Sequence, residues 1–178
     1  MAGLVEDLPM GLRARIRRLR MDRAACFDRT GKYRYFLSRR WASKGKQVCF
    51  VLLNPSTADA FQDDPTIRRC IGFAKELGGA ALAVVNLFAL RATDPKELLR
   101  AVDPIGPHNT HWLVETIRKS DIAVVGWGAH LLAGPYARTV IEENYLAGLA
   151  CLGVNADGSP KHPLYVKGGT GLLPWSPR

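Results

Sequence analysis

Three unbroken apolar runs of strand length constrain this chain most: Val48–Leu53 (VCFVLL), Ala80–Val85 (AALAVV) and Ile122–Val125 (IAVV). A strand with water on one face alternates apolar and polar side chains, so a run with no polar member reads as a strand buried on both faces. The segments between the runs carry helix punctuation. Asp64-Pro65 opens a helix expected to continue through Leu77, with the aspartate accepting from free backbone N–H groups and the proline placed where no N–H is needed. Gly78-Gly79 ends it. Asp94-Pro95-Lys96-Glu97 repeats the start, with a glutamate spaced for a capping box. Gly106-Pro107 introduces a helix to Lys119, and another is expected near Tyr136–Ala147. Leu149–Val154 reads as a fourth strand, and Asp157-Gly158 turns the chain toward Leu164–Val166.

Buried strands alternating with helices imply right-handed crossovers and a parallel sheet covered on both faces. Upstream, Ala24–Phe27 and Tyr33–Leu37 flank the turn cluster Asp28-Arg29-Thr30-Gly31. The second arm alternates Tyr33, Tyr35 and Leu37 with Arg34, Phe36 and Ser38, which gives an antiparallel hairpin with one wetter face. The expected architecture is one α/β domain over residues 1–178, a three-layer sandwich. In it a short parallel sheet of about four strands lies between helices, preceded by the hairpin and by a basic arm at 1–23.

Composition agrees with a packed domain: 47% hydrophobic and 23% charged residues in a chain of 178 are ordinary for a globular protein. No apolar run approaches the roughly 18 residues of a membrane span, so no membrane partner is expected. The first twenty residues carry no apolar segment followed by a small-residue cleavage site, so the expected location is cytoplasmic. Cys26, Cys49, Cys70 and Cys151 are far apart with no C-x-x-C pair, and read as reduced packing thiols rather than a disulfide or cluster framework. Charge is uneven. Residues 1–46 hold thirteen Lys/Arg against four acids, and the remainder holds twelve of each. Arg13, Arg15, Arg17, Arg18 and Arg20 concentrate that excess and read as phosphate-binding, since the planar guanidinium fork pairs with phosphate oxygens. A solvated basic arm that serves solubility is the alternative.

In parallel sheets ligands bind beyond the carboxyl ends of the strands. After the first buried run come Asn54-Pro55-Ser56-Thr57-Ala58-Asp59, after the second Asn86-Leu87-Phe88, after the third Gly126-Trp127-Gly128, and after the fourth strand Lys161-His162-Pro163. Two carboxamides, an indole and an imidazole on one rim point to a site for a small planar ligand. Each also has a structural reading: Asn54 as a turn former, Asn86 as a cap, Trp127 as core, His162 as a satisfied surface residue. Asp59, Asp63 and Asp64 form a carboxylate cluster of the kind hard cations use, but Asp64 is explained as a helix cap and no histidine lies nearby in sequence. No metal and no cofactor is expected.

Through LNPSTAD (53–59), DDPTIRRC (63–70), VNLFALRATDP (85–95), GWG (126–128) and HPLY (162–165), the chain resembles a bacterial family of unknown function across nearly its full length. More distantly, the order of motifs is similar to that of the uracil-DNA glycosylase superfamily. That superfamily has a first-strand turn of the Gly-x-Asp/Asn-Pro type, an asparagine ending another strand, a third strand ending near glycine, and a late His-Pro. Leu53-Asn54-Pro55-Ser56, Asn86, Gly126-Trp127-Gly128 and His162-Pro163 occupy those places. The resemblance implies a glycosylase-like sandwich and a role for each residue. Asn54 orients a water toward a sugar anomeric carbon, Phe61 stacks on a base, Asn86 reads a base edge, and His162 stabilises the departing base. Pro55, Ser56, Trp127 and Gly128 line the pocket. Departures exist: Leu52 stands where the superfamily has glycine, Leu164 comes after His162-Pro163 where serine is usual, and Asn54 cannot take a proton as a carboxylate can. Asp59, in the same loop, is the candidate base.

The expectation is therefore a hydrolase of N-glycosidic type acting on nucleic acid or nucleotide. The alternatives are a non-catalytic module binding a nucleotide or modified base, and a metal-dependent phosphoester hydrolase using Asp59, Asp63 and Asp64.

Overall fold

The computed structural model describes residues 23–177. Of the basic arm expected at 1–23, Arg23 is among them and begins the first strand, while Arg13, Arg15, Arg17, Arg18 and Arg20 lie outside them. The described strands are β1 (Arg23–Phe27), β2 (Arg34–Arg40), β3 (Lys46–Leu52), β4 (Gly79–Asn86), β5 (Ile122–Val125), β6 (Leu149–Cys151) and β7 (Leu173–Pro174). The helices are α1 (Pro65–Glu76), α2 (Asn109–Arg118) and α3 (Ala133–Glu143), with 3-10 turns at Pro95–Leu99 and Pro163–Tyr165. The α/β class is as expected. The sheet differs from the expected short parallel one: it has seven strands in the order β1-β2-β4-β3-β5-β6-β7 and is mixed. Pairings β4–β3, β3–β5 and β5–β6 are parallel, while β1–β2, β2–β4 and β6–β7 are antiparallel. The hairpin is thus not an appendage. It extends the sheet, because β2 pairs with β4 along Leu37–Arg40. Strand β7 had no apolar pattern to announce it, and both of its residues are exposed.

The crossover order decides which face each helix covers. From β3 the chain passes through α1 to β4 on one side, then returns past β3 through α2 to β5, and goes on through α3 to β6. Two cores result. On one face Ile67, Cys70, Phe73 and Ala74 of α1 pack with Val48, Phe50, Leu82, Val84 and Val124. On the other, Leu113 and Ile117 of α2 and Ala137, Val140 and Ile141 of α3 pack with Cys49, Val51, Val85, Ala123 and Val125. Alternate residues of β3 enter opposite cores, which is why its run has no polar member. The four cysteines are free and buried. Burial pushes Cys26 and Cys49 up to about 12, so these thiols stay protonated.

Helix punctuation is realised locally. The Asp64 carboxylate accepts from Ile67 N at 2.8 Å, with Pro65 opening α1. Asp94 and Glu97 form the capping box, but they open a single 3-10 turn instead of a longer helix. Helix α2 starts at Asn109, later than Gly106-Pro107 implied, and α3 spans Ala133–Glu143 where Tyr136–Ala147 was expected. Strand β6 stops at Cys151.

The wetter hairpin face is also corrected. Arg34 through Arg39 are all buried. Strand β2 lies inside the sheet, with Phe36 stacked on Trp112 of α2 at 5.4 Å and the segment after β3 folded over its other polar members. The alternation of Arg34 and Ser38 with apolar neighbours therefore marks burial, with Arg34 bonded to Ala58 and Asn86 and the Ser38 hydroxyl left without a partner.

Candidate functional site

In an open sheet of this kind, a crevice forms between two adjacent parallel strands whose connections run to opposite sides. Here the order β4-β3-β5 puts that switch at the carboxyl ends of β3 and β5. The residues leaving those ends are Asn54-Pro55-Ser56 and Gly126-Trp127-Gly128.

The late His162-Pro163 segment closes over this point. Gly128 N donates to Pro160 O at 2.9 Å, and Lys161 N to Gly153 O at 2.8 Å. A Cβ on Gly126 would lie 3.1 Å from Pro163 Cδ and 3.2 Å from Lys161 O, while Gly128 has φ 76° and faces His162 Cβ at 3.6 Å. These two glycines are required by close approach and by backbone conformation respectively. At the far side, Arg69 of α1 donates to Val166 O. The segment carrying His162 is thereby held between the end of β5 and α1.

Both polar members of the crevice have an assigned orientation. Asn54 Nδ2 donates to Ala92 O at 2.8 Å and to Pro55 O at 3.1 Å. That leaves Oδ1 as its remaining acceptor. His162 Nδ1 accepts from Leu164 N at 3.4 Å. Burial pulls its pKa below the ordinary imidazole range, opposed by the Asp64 carboxylate. A neutral imidazole that accepts at Nδ1 carries its proton on Nε2, so His162 presents a donor.

Asn86 and Trp127 stand differently. Asn86 is 1% exposed, and its Oδ1 accepts from Arg34 Nη2 at 3.1 Å while its Nδ2 is buried without a partner. Its backbone carbonyl takes a bond from Asn109 Nδ2. Trp127 is 3% exposed and packs edge-on against Trp175 at 5.0 Å. Pro55 is buried and Ser56 half-buried beside Asn54. Asn86 is thus a buried structural amide, and Trp127 shows only an edge, to a cleft of about 480 Å³ shared with Gly128, His130, Leu131, Ser159 and Trp175.

The sequence pattern did not disclose the arginines that hold the segment after β3. Arg34, fully buried, donates from Nη1 to Ala58 O at 3.0 Å, and burial lowers its pKa to about 10. Arg39 donates to Asp59 O at 2.5 Å and pairs with Asp63 Oδ1 at 2.7 Å. Arg23 donates to Phe61 O at 2.9 Å and reaches Asp63 at 3.4 Å. Three guanidiniums of the hairpin thus bind three carbonyls of one loop. Only Arg34 had a visible signal, its place in a strand alternation, where arginine is easily taken for a solvent-facing residue; Arg23 was read as part of the basic arm and Arg39 lay beyond the alternation.

Asp59 lies where this loop meets the hairpin. Its Oδ1 accepts from Phe61 N at 2.7 Å and Gln62 N at 2.9 Å. Partial burial acts to raise its pKa, but those two bonds and the charges of Arg39 and Arg91 leave it below the ordinary carboxylate value. A carboxylate so stabilised is a weak base. With Phe61 and Arg91 it lines a second cleft of about 290 Å³, together with Ala25, Phe27, Gly31 and Ala60. Neither this cleft nor the Trp127 cleft is lined by Asn54, Asn86 or His162. Asp63 is committed to Arg39 and Arg23, and Asp64 to the α1 cap. Among the described residues no group of three or more His, Cys, Asp or Glu is placed to hold a metal, and no helix is long and apolar enough to cross a membrane.

A family model described as protein of unknown function (DUF1643) matches residues 34–164, from the buried Arg34 to the His162-Pro163 closure. The chain belongs to the DUF1643 family. Neither a curated protein nor a solved structure matches it. The DUF1643 match thus takes in β2 and every strand end of the crevice, while β1 and β7 fall outside it.

Two measurements test this geometry. Arg34→Met leaves Ala58 O and Asn86 Oδ1 without their donor, and denaturant unfolding should show a loss of roughly 2–4 kcal/mol. Arg34→Met combined with Asn86→Leu should be less destabilised than Arg34→Met alone, and additive losses would contradict the pairing. Separately, His162 has a folded-state pKa below its unfolded value of 6.5. Its contribution is fully present above pH 6.5 and is lost as pH falls through the folded value. Stability should thus fall below pH 6.5, before the carboxylates titrate, with a steeper slope than in His162→Gln; identical slopes would contradict the buried imidazole.

Proposed function

We propose that this DUF1643 chain binds a nucleobase-bearing ligand in the crevice beyond β3 and β5 and hydrolyses its N-glycosidic bond. The observation that carries the reading is that Asn54 follows β3 and His162 packs against the segment after the neighbouring β5, one with a free acceptor and the other with a donor. Asn54, its amide oriented by Ala92 O and Pro55 O, offers Oδ1 to a water. His162, neutral with its proton on Nε2, offers that N–H to charge developing on a departing base. In the step, the water oxygen bonds the anomeric carbon as the carbon–nitrogen bond breaks. The electron pair leaves with the base, and the water's proton ends on it.

The similarity of motif order to the uracil-DNA glycosylase superfamily supports this reading. So does the position of Asn54 just beyond β3 and of His162 in the loop segment that packs on Gly126 and Gly128 beyond β5. Asp59 is better suited to recognition than to proton abstraction, because its ionised form is so well stabilised. The basic residues 13–20 would be the source of phosphate affinity. A second reading, a non-catalytic nucleotide or modified-base binder, is favoured by one observation: Asn86 is sealed and bonded to Arg34, so it adds no contact to a reacting base.

Base release from a panel of radiolabelled oligonucleotides and nucleosides separates the two. Hydrolysis predicts a free base as product. His162→Ala should reduce release by about 10²–10³-fold, and Asn54→Ala by about tenfold or more, each with an unchanged far-UV circular dichroism spectrum. Saturable binding with no free base establishes the binding module instead.

A further inference from the structure

The second cleft, about 290 Å³ between the hairpin and the segment after β3, lies outside the crevice and carries its own chemistry. One wall is Arg91, whose guanidinium lies over the Phe27 ring at 5.1 Å and donates from Nη1 to Gly31 O at 3.1 Å. Stacking and one hydrogen bond hold the guanidinium in place and leave other N–H donors for a ligand. Arg91 makes no ion pair among the described residues, although Asp59 lines the same cleft. The opposite charge is thus close enough to be felt and too far to neutralise it. Asp59 is itself fixed: two backbone N–H groups hold Oδ1, and Oδ2 accepts from none of the described residues. Phe61, 55% exposed, lines the same cleft and offers a flat apolar surface, with Ala25 and Ala60 also in the lining.

We propose that this cleft is a nucleotide-binding subsite that takes a phosphate at Arg91, a base against Phe61, and the base's amino edge at Asp59. Three complementary features select that class. A fixed guanidinium suits a phosphate. An exposed aromatic ring suits a base face, a contact worth about tenfold or more in affinity. An ionised carboxylate accepts and never donates. It therefore binds the exocyclic amine of adenine, cytosine or guanine and repels uracil or thymine, whose single edge N–H is flanked by two carbonyl oxygens. The volume is at the lower limit of small-molecule sites, roughly 300–1,000 Å³, which suits one nucleotide unit. This assignment stands on the cleft alone and holds whether or not the crevice hydrolyses anything.

Equilibrium titration of the full chain with AMP, CMP, GMP and UMP, and with the parent nucleosides, tests it. The amino-bearing monophosphates should bind at least about tenfold more tightly than UMP and than their own nucleosides. Arg91→Met should abolish the advantage of monophosphate over nucleoside. Asp59→Asn keeps the acceptor for Phe61 and Gln62 but turns the free position into a donor, so preference should move toward UMP. Should that variant disturb the loop, Phe61→Ala provides the check, weakening all four monophosphates together without changing their order. Equal affinity for UMP and CMP, or Arg91→Met binding as the parent does, overturns the subsite. So does the absence of any monophosphate binding.

Discussion

Buried arginines reaching from the second hairpin strand to the carbonyls of Ala58 and Asp59 set the position of everything beyond β3. A loop that packs against a domain must satisfy its inward-facing backbone groups, and residues 54–64 have no ladder to do so. Arg34, Arg39 and Arg23 supply the donors. The arrangement is costly for Arg34, which is desolvated with no carboxylate in ion-pair contact among the described residues and with Nε unpartnered. It is retained because the alternative, a set of buried carbonyls without donors, costs more. Through Asn54 and Ala92 the same loop is tied to the segment after β4. The hairpin therefore braces both the crevice and the second cleft.

That bracing places the polar chemistry in two zones. At the switch point, Asn54 and His162 are half-buried and each has its amide or ring orientation set by a backbone group. In the second cleft, Asp59 and Arg91 carry opposite charges that do not pair, with an exposed phenylalanine beside them. In the function proposed, the first zone is the one that places a water and a donor. In the subsite proposed, the second zone recognises, with the Asp59 carboxylate held ionised by two backbone N–H groups. A single pocket that gathers Asn54, Asn86, Trp127 and His162 on a common ligand is incompatible with the burial of Asn86 and Trp127.

How much of the fold the sequence disclosed depended on how local the causes are. The buried strands and the Asp64 and Asp94 caps were legible because each depends on side chains within a few residues. The same holds for the glycine stop after α1. Legibility failed where a partner far along the chain decides the outcome. Arg34 looks solvated until Ala58 and Asn86, distant in sequence, are placed over it. Asn86 looks like a reader of ligands until Arg34 takes its oxygen. Strand β7 exists only because the short β6 offers it an edge, and no pattern in Leu173–Pro174 announces that. Arg91 sat inside a recognised motif, yet nothing local shows that Phe27 lies beneath it.

The dependence of the loop on its arginines is open to a direct measurement. Native-state hydrogen exchange can be followed at the amides of Phe61, Gln62 and Ala92, in the parent and in Arg39→Met, beside amides of β3 and β4. If the guanidiniums hold the loop, its amides lose protection well beyond the loss seen in the strands. If loop and strand amides change in parallel, the loop is stable by itself and the arginines are passengers.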